Sequence, residues 1–125
     1  MILLRQNQTN QFVLTLSELA NPSLPNNWLL VFELEQALGQ KNQTYKRQFV
    51  DISVSPISYN MFELIEGTDI DFKTTGDYHY KAYQMPDNVS VDETQGILVE
   101  QGKMRLLKEN EPRPIFAVDN NVFVL

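Results

Sequence analysis

The chain has 125 residues, no cysteine and a formal net charge of −6. This length is sufficient for one domain with a single core. The missing cysteines exclude disulfides, thiolate chemistry and cysteine-based zinc sites. The negative charge disfavours direct nucleic-acid binding. No segment has the roughly 20 apolar residues of a membrane-spanning helix, so neither nucleic acid nor a membrane is a predicted partner.

Short apolar segments of alternating polarity, separated by turn residues, predict β-strands and almost no helix. The predicted strands lie, in chain order, at 2–6, 12–16, 28–35, 45–54, 59–66, 69–73, 77–83 and 96–107. The pattern in 45–54 leaves open which face is buried, and a bulge would explain it. The segment 69–73 is short and leads into the strand at 77–83, so residues 1–108 are predicted to hold about seven strands. Turns occur roughly every 8–12 residues, as is typical of a β-sandwich.

The stretch from Thr75 to Tyr83 gives the clearest indication of the fold. Tyr78 follows a turn glycine and opens a strand in which Tyr78, Tyr80 and Ala82 share one face. Immunoglobulin-like sandwiches place a tyrosine corner at such a position, where the phenol bonds the backbone a few residues upstream. We therefore predict an Ig-like antiparallel β-sandwich, with a jelly roll or another Greek-key barrel as the alternative. The predicted structural core includes Trp28, Phe32, Tyr78 and Tyr80.

No residue pattern predicts catalysis, a cofactor or a metal. The single histidine, His79, lies on the face opposite Tyr78 and is expected at the surface. A catalytic base needs a nucleophile within reach, and metal sites use several ligands. Two groups of acidic residues match no calcium loop and are interpreted as solvated faces: Glu63, Glu66, Asp69 and Asp71, and then Asp87, Asp92 and Glu93. The chain is therefore predicted not to be an enzyme.

Three tyrosines suggest an alternative function. Tyr45, Tyr59 and Tyr83 are expected to be exposed, and exposed aromatic rings stack on sugars in carbohydrate-binding modules. Such residues more often cover sheet edges or subunit contacts. A carbohydrate-binding β-sandwich therefore remains a second hypothesis.

Residues 109–125 are predicted to form a linker and docking arm beyond the sandwich. The linker contains two prolines and two glutamates, and the segment after it is apolar. An isolated hairpin of this size is marginal in water, so the arm must dock on its own domain or on another chain. The predicted partner-binding residues of the arm are Ile115, Phe116, Val118, Val122, Phe123 and Val124.

Five segments stand out in a fixed order along about the first 108 residues. They are an opening strand followed by QTN at 8–10, FVLTLSE at 12–18, YNMFEL at 59–64, GDYHYKAY at 76–83 and GILVEQGKM at 96–104. In this combination the chain resembles small structural proteins of tailed bacteriophages, notably crAss-like phages and related phages of Bacteroidetes.

The resemblance implies a non-enzymatic virion protein, made in the cytoplasm of the bacterial host and located on the capsid surface. Such an auxiliary or decoration protein would stabilise the shell and bind the major capsid protein, other virion proteins or copies of itself. Its alternative places in the virion are the neck or tail, or the anchor of a head fibre.

Overall fold

The computed structural model describes residues 1–35, 43–54 and 59–112, and within them the chain is all-β. The strands in chain order are β1 (Ile2–Arg5), β2 (Thr9–Leu14), β3 (Asn27–Leu34), β4 (Thr44–Phe49), β5 (Asn60–Ile65), β6 (Gly76–Met85) and β7 (Ile97–Leu107). A short 3-10 turn, Glu93–Gln95, precedes β7. The predicted docking arm from residue 113 onward lies outside the described residues.

The seven strands form two sheets, which confirms the predicted all-β sandwich. The larger sheet has the order β1-β7-β6-β3-β4, and β2 pairs with β5 in the smaller sheet. The order β7-β6-β3-β4 is the order that strands G, F, C and C′ have in immunoglobulin variable-type sandwiches, and the pair β2-β5 corresponds to the pair B-E. One pair departs from the antiparallel expectation, because β1 runs parallel to β7.

The inner faces of the two sheets enclose one aromatic-rich core. Trp28, Phe32, Tyr78 and Tyr80, the four side chains predicted for the core, are all buried. The Phe32 ring meets the Phe72 ring edge-on with centroids 5.7 Å apart, a favourable geometry for aromatic pairs. Period-two alternation in β3 and β6 thus delivers large apolar side chains to one side of the sheet.

Three predicted strands differ from the observed elements. The strand predicted at 12–16 begins earlier and ends earlier, because β2 spans Thr9–Leu14. Residues 69–73 form no strand, although Ile70 and Phe72 are buried as their spacing indicated. The turn after β5 causes this difference, because Gly67 has a positive φ of 93° and its N–H donates to the carbonyl of Ile70. The predicted strand 45–54 ends at Phe49. Beyond it, the N–H of Ile52 donates to the carbonyl of Met61, so the chain crosses to the smaller sheet.

Tyr78 forms the predicted tyrosine corner. Its side chain is fully buried, and its hydroxyl donates to the backbone carbonyl of Thr74, four residues upstream. Burial raises the pKa of Tyr78 above its ordinary value of 10.0, and the phenol, which is protonated at neutral pH with or without this shift, donates the bond. One ring therefore fills the core and holds the loop that precedes β6.

Tyr78→Phe is expected to lower the free energy of unfolding by about 1 kcal/mol, because the ring remains and one hydrogen bond is lost. Urea denaturation followed by circular dichroism measures this loss. Tyr83→Phe is the matched control, since among the described residues the Tyr83 hydroxyl has no hydrogen bond. Equal stability losses in the two variants would contradict the role of the Tyr78 hydroxyl.

Asn60, at the start of β5, is a buried polar link between the end of β2 and the end of β4. Its side-chain oxygen accepts from the backbone N–H of Leu16 at 2.7 Å and of Ser17 at 3.1 Å. Its amide nitrogen donates to the Asp51 carboxylate at 2.8 Å and to the Ser17 hydroxyl at 3.0 Å. Asp51 also accepts from the N–H of Met61 at 3.0 Å. Through Asn60, these contacts connect the segment after β2 with the segment after β4. Within the described residues, no strand pairing joins β2 to β4.

The network around Asp51 makes stability depend on acid pH. Burial acts to raise the pKa of Asp51, but hydrogen bonds from Ser53, Asn60 and Met61 outweigh burial and hold that pKa below its ordinary value of 3.8. The stabilisation is therefore complete above the unfolded pKa and lost as pH falls through the lower folded pKa. We expect Asp51→Asn to flatten the fall in urea midpoint between about pH 5 and pH 2.5, whereas Glu18→Gln, at an exposed site, leaves it unchanged. An unaltered slope in Asp51→Asn would contradict this assignment.

Candidate functional site: the arm root and the free strand edges

The candidate site lies at the pole of the sandwich where β7 ends, and its centre is Lys108–Glu111, here called the arm root. The N–H of Glu111 donates to the carbonyl of Lys108 at 3.1 Å and closes a turn after β7. Arg5, the last residue of β1, donates from one guanidinium nitrogen to the carbonyls of Lys108 at 3.2 Å, Glu109 at 3.4 Å and Glu111. The predicted arm therefore begins from a turn that is held against the sandwich.

The turn between β1 and β2 also binds the arm root. The side-chain amide of Asn7 donates to the Glu109 carboxylate at 3.0 Å, and that of Gln8 donates to the Glu109 carbonyl at 3.5 Å. Asn7 has a left-handed φ of 57°, a conformation that asparagine tolerates better than most residues. An open groove of about 870 Å³ separates the arm root from the loop at Lys73–Thr75. The arm root thus lies directly beside the start of β2.

The second feature of the site is the free edge of β2. Among the described residues, β2 pairs only with β5, in an antiparallel register. The N–H of Glu66 donates to the carbonyl of Gln8, so the backbone N–H and C=O groups of the even-numbered residues of β2 point toward β5. Because the direction of backbone groups alternates along a strand, the backbone groups of Gln11 and Val13 point to the other side. These groups form an edge that is able to accept another strand.

The free edge of β1 lies next to that of β2 at the pole. The N–H of Gln6 donates to the carbonyl of Leu107, so the backbone groups of Arg5 point away from β7. The Asn10 side chain of β2 satisfies both of these groups, accepting from the Arg5 N–H at 2.8 Å and donating to the Arg5 carbonyl at 3.0 Å. The two free edges therefore begin at one point, and the space between them is here called the seam.

The other outer edges carry features that oppose strand addition. The sequence of β4 places Lys46 and Arg47 at its centre, and charged side chains on an edge strand discourage pairing with other chains. The edge of β5 is partly covered, because its Met61 carbonyl already accepts from Ile52. In contrast, the six residues of β2, TNQFVL, include no charge. The β2 edge is thus the least protected edge in the part of the chain that the structure describes.

The first acidic group serves structural roles. Glu66 is 5% exposed, and its carboxylate accepts from the backbone N–H groups of Asn7 at 2.9 Å and Phe72 at 3.0 Å. Asp69 accepts from the N–H of Ile65 at 2.8 Å, and Asp71 pairs with Lys73 at the surface. Within residues 1–35, 43–54 and 59–112, no three histidine or acidic side chains are placed to hold a metal ion. The interpretation of this group as a solvated face was wrong for Glu66, because its carboxylate is buried where it ties two loops together.

The second acidic group organises the loop between β6 and β7. Asp87 accepts from the N–H groups of Val89 at 3.0 Å and Ser90 at 2.7 Å, and Asp92 caps the 3-10 turn. Glu93 forms an ion pair with Lys46 at 2.7 Å, and the hydrogen bond from Lys46 lowers the pKa of Glu93. This loop thus bonds across to β4 beside the outer face of the larger sheet.

That loop and the sheet beneath it form a second apolar cluster. Leu29 and Met85 are fully buried although they lie on the outer face, and Val31 is 7% exposed. Gln48 of β4 fastens the loop by donating to the carbonyls of Asp87 at 3.0 Å and Ser90 at 2.7 Å. The outer face of β3 is therefore a closed part of the fold rather than an open binding surface.

His79 is exposed, as predicted, and lies 3.6 Å from the Glu35 carboxylate. Its cross-strand neighbours in the register are Glu33 on β3 and Lys103 on β7. The described residues bring no hydroxyl nucleophile into hydrogen-bond contact with its ring. His79 therefore belongs to a mixed-charge surface of the sheet.

The three tyrosines considered for sugar stacking are only partly exposed and do not share a face. Tyr45 turns inward, with its ring 4.9 Å from that of Phe72, and its hydroxyl accepts from the N–H of Lys73 at 3.0 Å. Tyr83 packs on the outer-face cluster, and Tyr59 precedes β5. The expectation of three exposed rings was therefore wrong, because the rings lie at different parts of the protein and each is partly covered there.

Sequence reasoning missed the residues that hold the arm root and several loops. Arg5, Asn10 and Asn60 act through single side-chain bonds to backbone, and no periodicity signals such bonds. Gln84 is fully buried and donates to the carbonyls of Asn21 and Leu24, fastening the loop before β3. The sequence did hold a signal for Gln84, because it is a polar residue at a position of β6 where alternation predicts a buried side chain. The arm residues Ile115, Phe116, Val118, Val122, Phe123 and Val124 lie outside the described residues.

Three comparisons with known proteins gave no match: no family model, no curated protein and no solved structure matches this chain. In the part of the chain that the structure describes, no helix is long and apolar enough to cross a membrane. The site itself therefore supplies the basis for a functional proposal.

Proposed function

We propose that this chain is a non-enzymatic structural protein of a tailed-phage virion. It acts as an auxiliary protein bound to the capsid shell, which it stabilises through protein–protein contacts. The major capsid protein or another virion protein is its partner, and residues 113–125 supply the attachment. The motifs that resemble phage structural proteins support the virion assignment.

The arm root is the observation that carries this proposal. Arg5, Asn7 and Gln8 together hold Lys108–Glu111 with hydrogen bonds to backbone and carboxylate groups. A segment that starts from a held position loses less conformational entropy on binding than one joined by a loose linker. The apolar runs IFAV at 115–118 and VFVL at 122–125 follow this root. A rigid sandwich that presents an apolar arm suits attachment to a protein shell.

The polar side chains of the sandwich also fit a structural role. The carboxylates of Glu66, Asp51 and Asp87 accept hydrogen bonds from backbone N–H groups. Groups engaged in this way stabilise loops and are poorly placed to react with a substrate. This use of charged residues favours a binding protein over a hydrolase.

Purified virions of the phage that carries this gene are expected to contain the chain, as measured by mass spectrometry. Cryo-electron microscopy of those particles would then place it on the shell, the neck or the tail. Absence of the chain from pure, infectious particles would overturn the virion assignment.

Phe123→Asp tests the attachment in the full-length chain. We expect co-sedimentation of the purified protein with particles lacking it to weaken about tenfold or more, because a charge replaces an apolar anchor. Val89→Asp is the matched control, since Val89 is 78% exposed on the loop between β6 and β7, away from the arm root. Equal binding by both variants would exclude the arm as the attachment.

A further inference from the structure

We infer that residues 115–118 of the arm add as a strand in the seam of the same molecule, between the free edges of β1 and β2. This inference rests on the proposed function in assigning the arm a binding role, and it divides that role. The first apolar run closes the sandwich, while the second, at 122–125, remains for the virion partner.

The position of the arm root favours this seam. Asn7 and Gln8, the residues directly before β2, donate hydrogen bonds to Glu109. Arg5, at the end of β1, donates to the carbonyl of the same residue. β7 runs toward this pole, and the turn at the arm root reverses the chain. A strand that continues from the root therefore runs antiparallel to β1 and parallel to β2. Both orientations are compatible with a sheet ladder.

The lengths also agree. At about 3.3 Å per residue, the six residues of β2 extend about 20 Å, and the four residues 115–118 extend about 13 Å. Pro112 and Pro114 lack an N–H, and a residue that precedes proline favours extended backbone. Residue 115 is thus the first residue after the two prolines that supplies a backbone N–H for strand pairing.

The seam offers both hydrogen-bond partners and apolar surface. The backbone groups of Gln11 and Val13 point into the seam. The Asn10 side chain occupies only the end of the seam beside Arg5, where it bonds the Arg5 backbone. The Val13 side chain is 52% exposed on the outer face next to the same edge. An apolar, β-branched and aromatic segment such as IFAV fits an uncharged edge of this kind.

Tethering favours the molecule's own arm over the arm of a second copy. A short linker gives an effective concentration in the millimolar range, which exceeds the concentration of free protein in most conditions. The root also holds the linker at the entry to the seam. A second copy would have to displace that local segment before its own arm bound.

Because the chain has no native cysteine, disulfide trapping provides a direct test. We expect the full-length double variant Gln11→Cys with Ala117→Cys, and its neighbour Gln11→Cys with Phe116→Cys, to form an intramolecular disulfide under mild oxidation in at least one register. The product is a monomer that migrates faster in non-reducing gels. Thr44→Cys with Ala117→Cys is the matched control on the edge of β4 and should stay reduced. A disulfide-linked dimer, or no disulfide in either register, would overturn the inference.

Hydrogen exchange provides a second measurement on the full chain. Protection of the Gln11 and Val13 amides should fall roughly tenfold or more in Ala117→Pro, because proline removes a ladder donor from the added strand. Protection of Phe12, whose amide faces β5, should change little. Unchanged protection at Gln11 and Val13 would contradict seam binding.

The outcomes of these experiments separate the seam from the virion function. If the disulfide forms but the protein does not bind particles, the seam assignment stands and the virion function is wrong. If particles bind the protein but neither cysteine pair closes, the function stands and the seam assignment is wrong.

Discussion

Replacing Asn60 with leucine is expected to destabilise the protein by about 3 kcal/mol. Leucine has a similar volume, so the loss comes from hydrogen bonds rather than from a cavity. The N–H groups of Leu16 and Ser17 lose their acceptor, and Leu16 is fully buried. A buried donor left unpaired costs about 1–3 kcal/mol, and the Asp51 carboxylate also loses a donor. Urea denaturation at neutral pH measures the change in the free energy of unfolding.

Two further variants separate the parts of this network. Ser17→Ala removes only one acceptor of the Asn60 amide and is expected to cost about 1 kcal/mol or less. Asn60→Asp keeps an acceptor for both N–H groups but places a second carboxylate beside Asp51. Like charges raise the folded pKa of the pair, so stability should increase as pH falls from about 7 to 5. An Asn60→Leu protein as stable as wild type would show that the two N–H groups find other acceptors.

Gly102→Ala is expected to destabilise the protein by about 2 kcal/mol through crowding. A Cβ at residue 102 would lie 2.8 Å from Cε1 and 2.9 Å from the hydroxyl oxygen of Tyr80. The Tyr80 side chain is 5% exposed and its hydroxyl donates to Glu100 at 2.8 Å, so the ring cannot move aside without losing contacts. Overpacking of a filled core typically costs about 1–3 kcal/mol. Thermal and urea unfolding both report this change.

A double-mutant cycle tests the cause. Tyr80→Leu removes the ring atoms near residue 102, so Gly102→Ala should cost little in that background. Gly76→Ala is the contrasting control, since no atom lies within 4 Å of its Cβ position but its φ is +127°. Its cost arises from backbone strain and should be the same in the wild-type and Tyr80→Leu backgrounds. A Gly102→Ala cost that persists in the Tyr80→Leu protein would contradict the crowding explanation.

The predicted elements succeeded where one face of a strand is apolar and failed where side chains bond to backbone. Alternation in 28–35 and 77–83 identified β3 and β6, and Tyr78 identified the corner that fixes the loop before β6. The segment 69–73 has the same alternation, yet the turn at Gly67 prevents strand pairing. Periodicity reports which side chains face the core and does not report whether a neighbouring strand is available to pair.

The candidate site likewise combines features that the sequence predicts with features that only the folded chain shows. The apolar runs after residue 112 are visible in the sequence as an arm, but the root that holds the arm is not. Arg5 lies 103 residues before Lys108, and only the parallel pairing of β1 with β7 brings the two together. The free edge of β2 is also invisible in the sequence, because the number of partners of a strand is a property of the assembled sheet.

By itself, the sequence determined an all-β sandwich, its inward faces and its tyrosine corner, because these depend on side-chain alternation and on local backbone turns. The tertiary structure decided the parallel β1–β7 pair, the buried polar links at Asn60 and Gln84, and the seam beside the arm root. Each of these depends on hydrogen bonds between residues far apart in the chain, and such bonds exist only once the strands have found their order in the sheets.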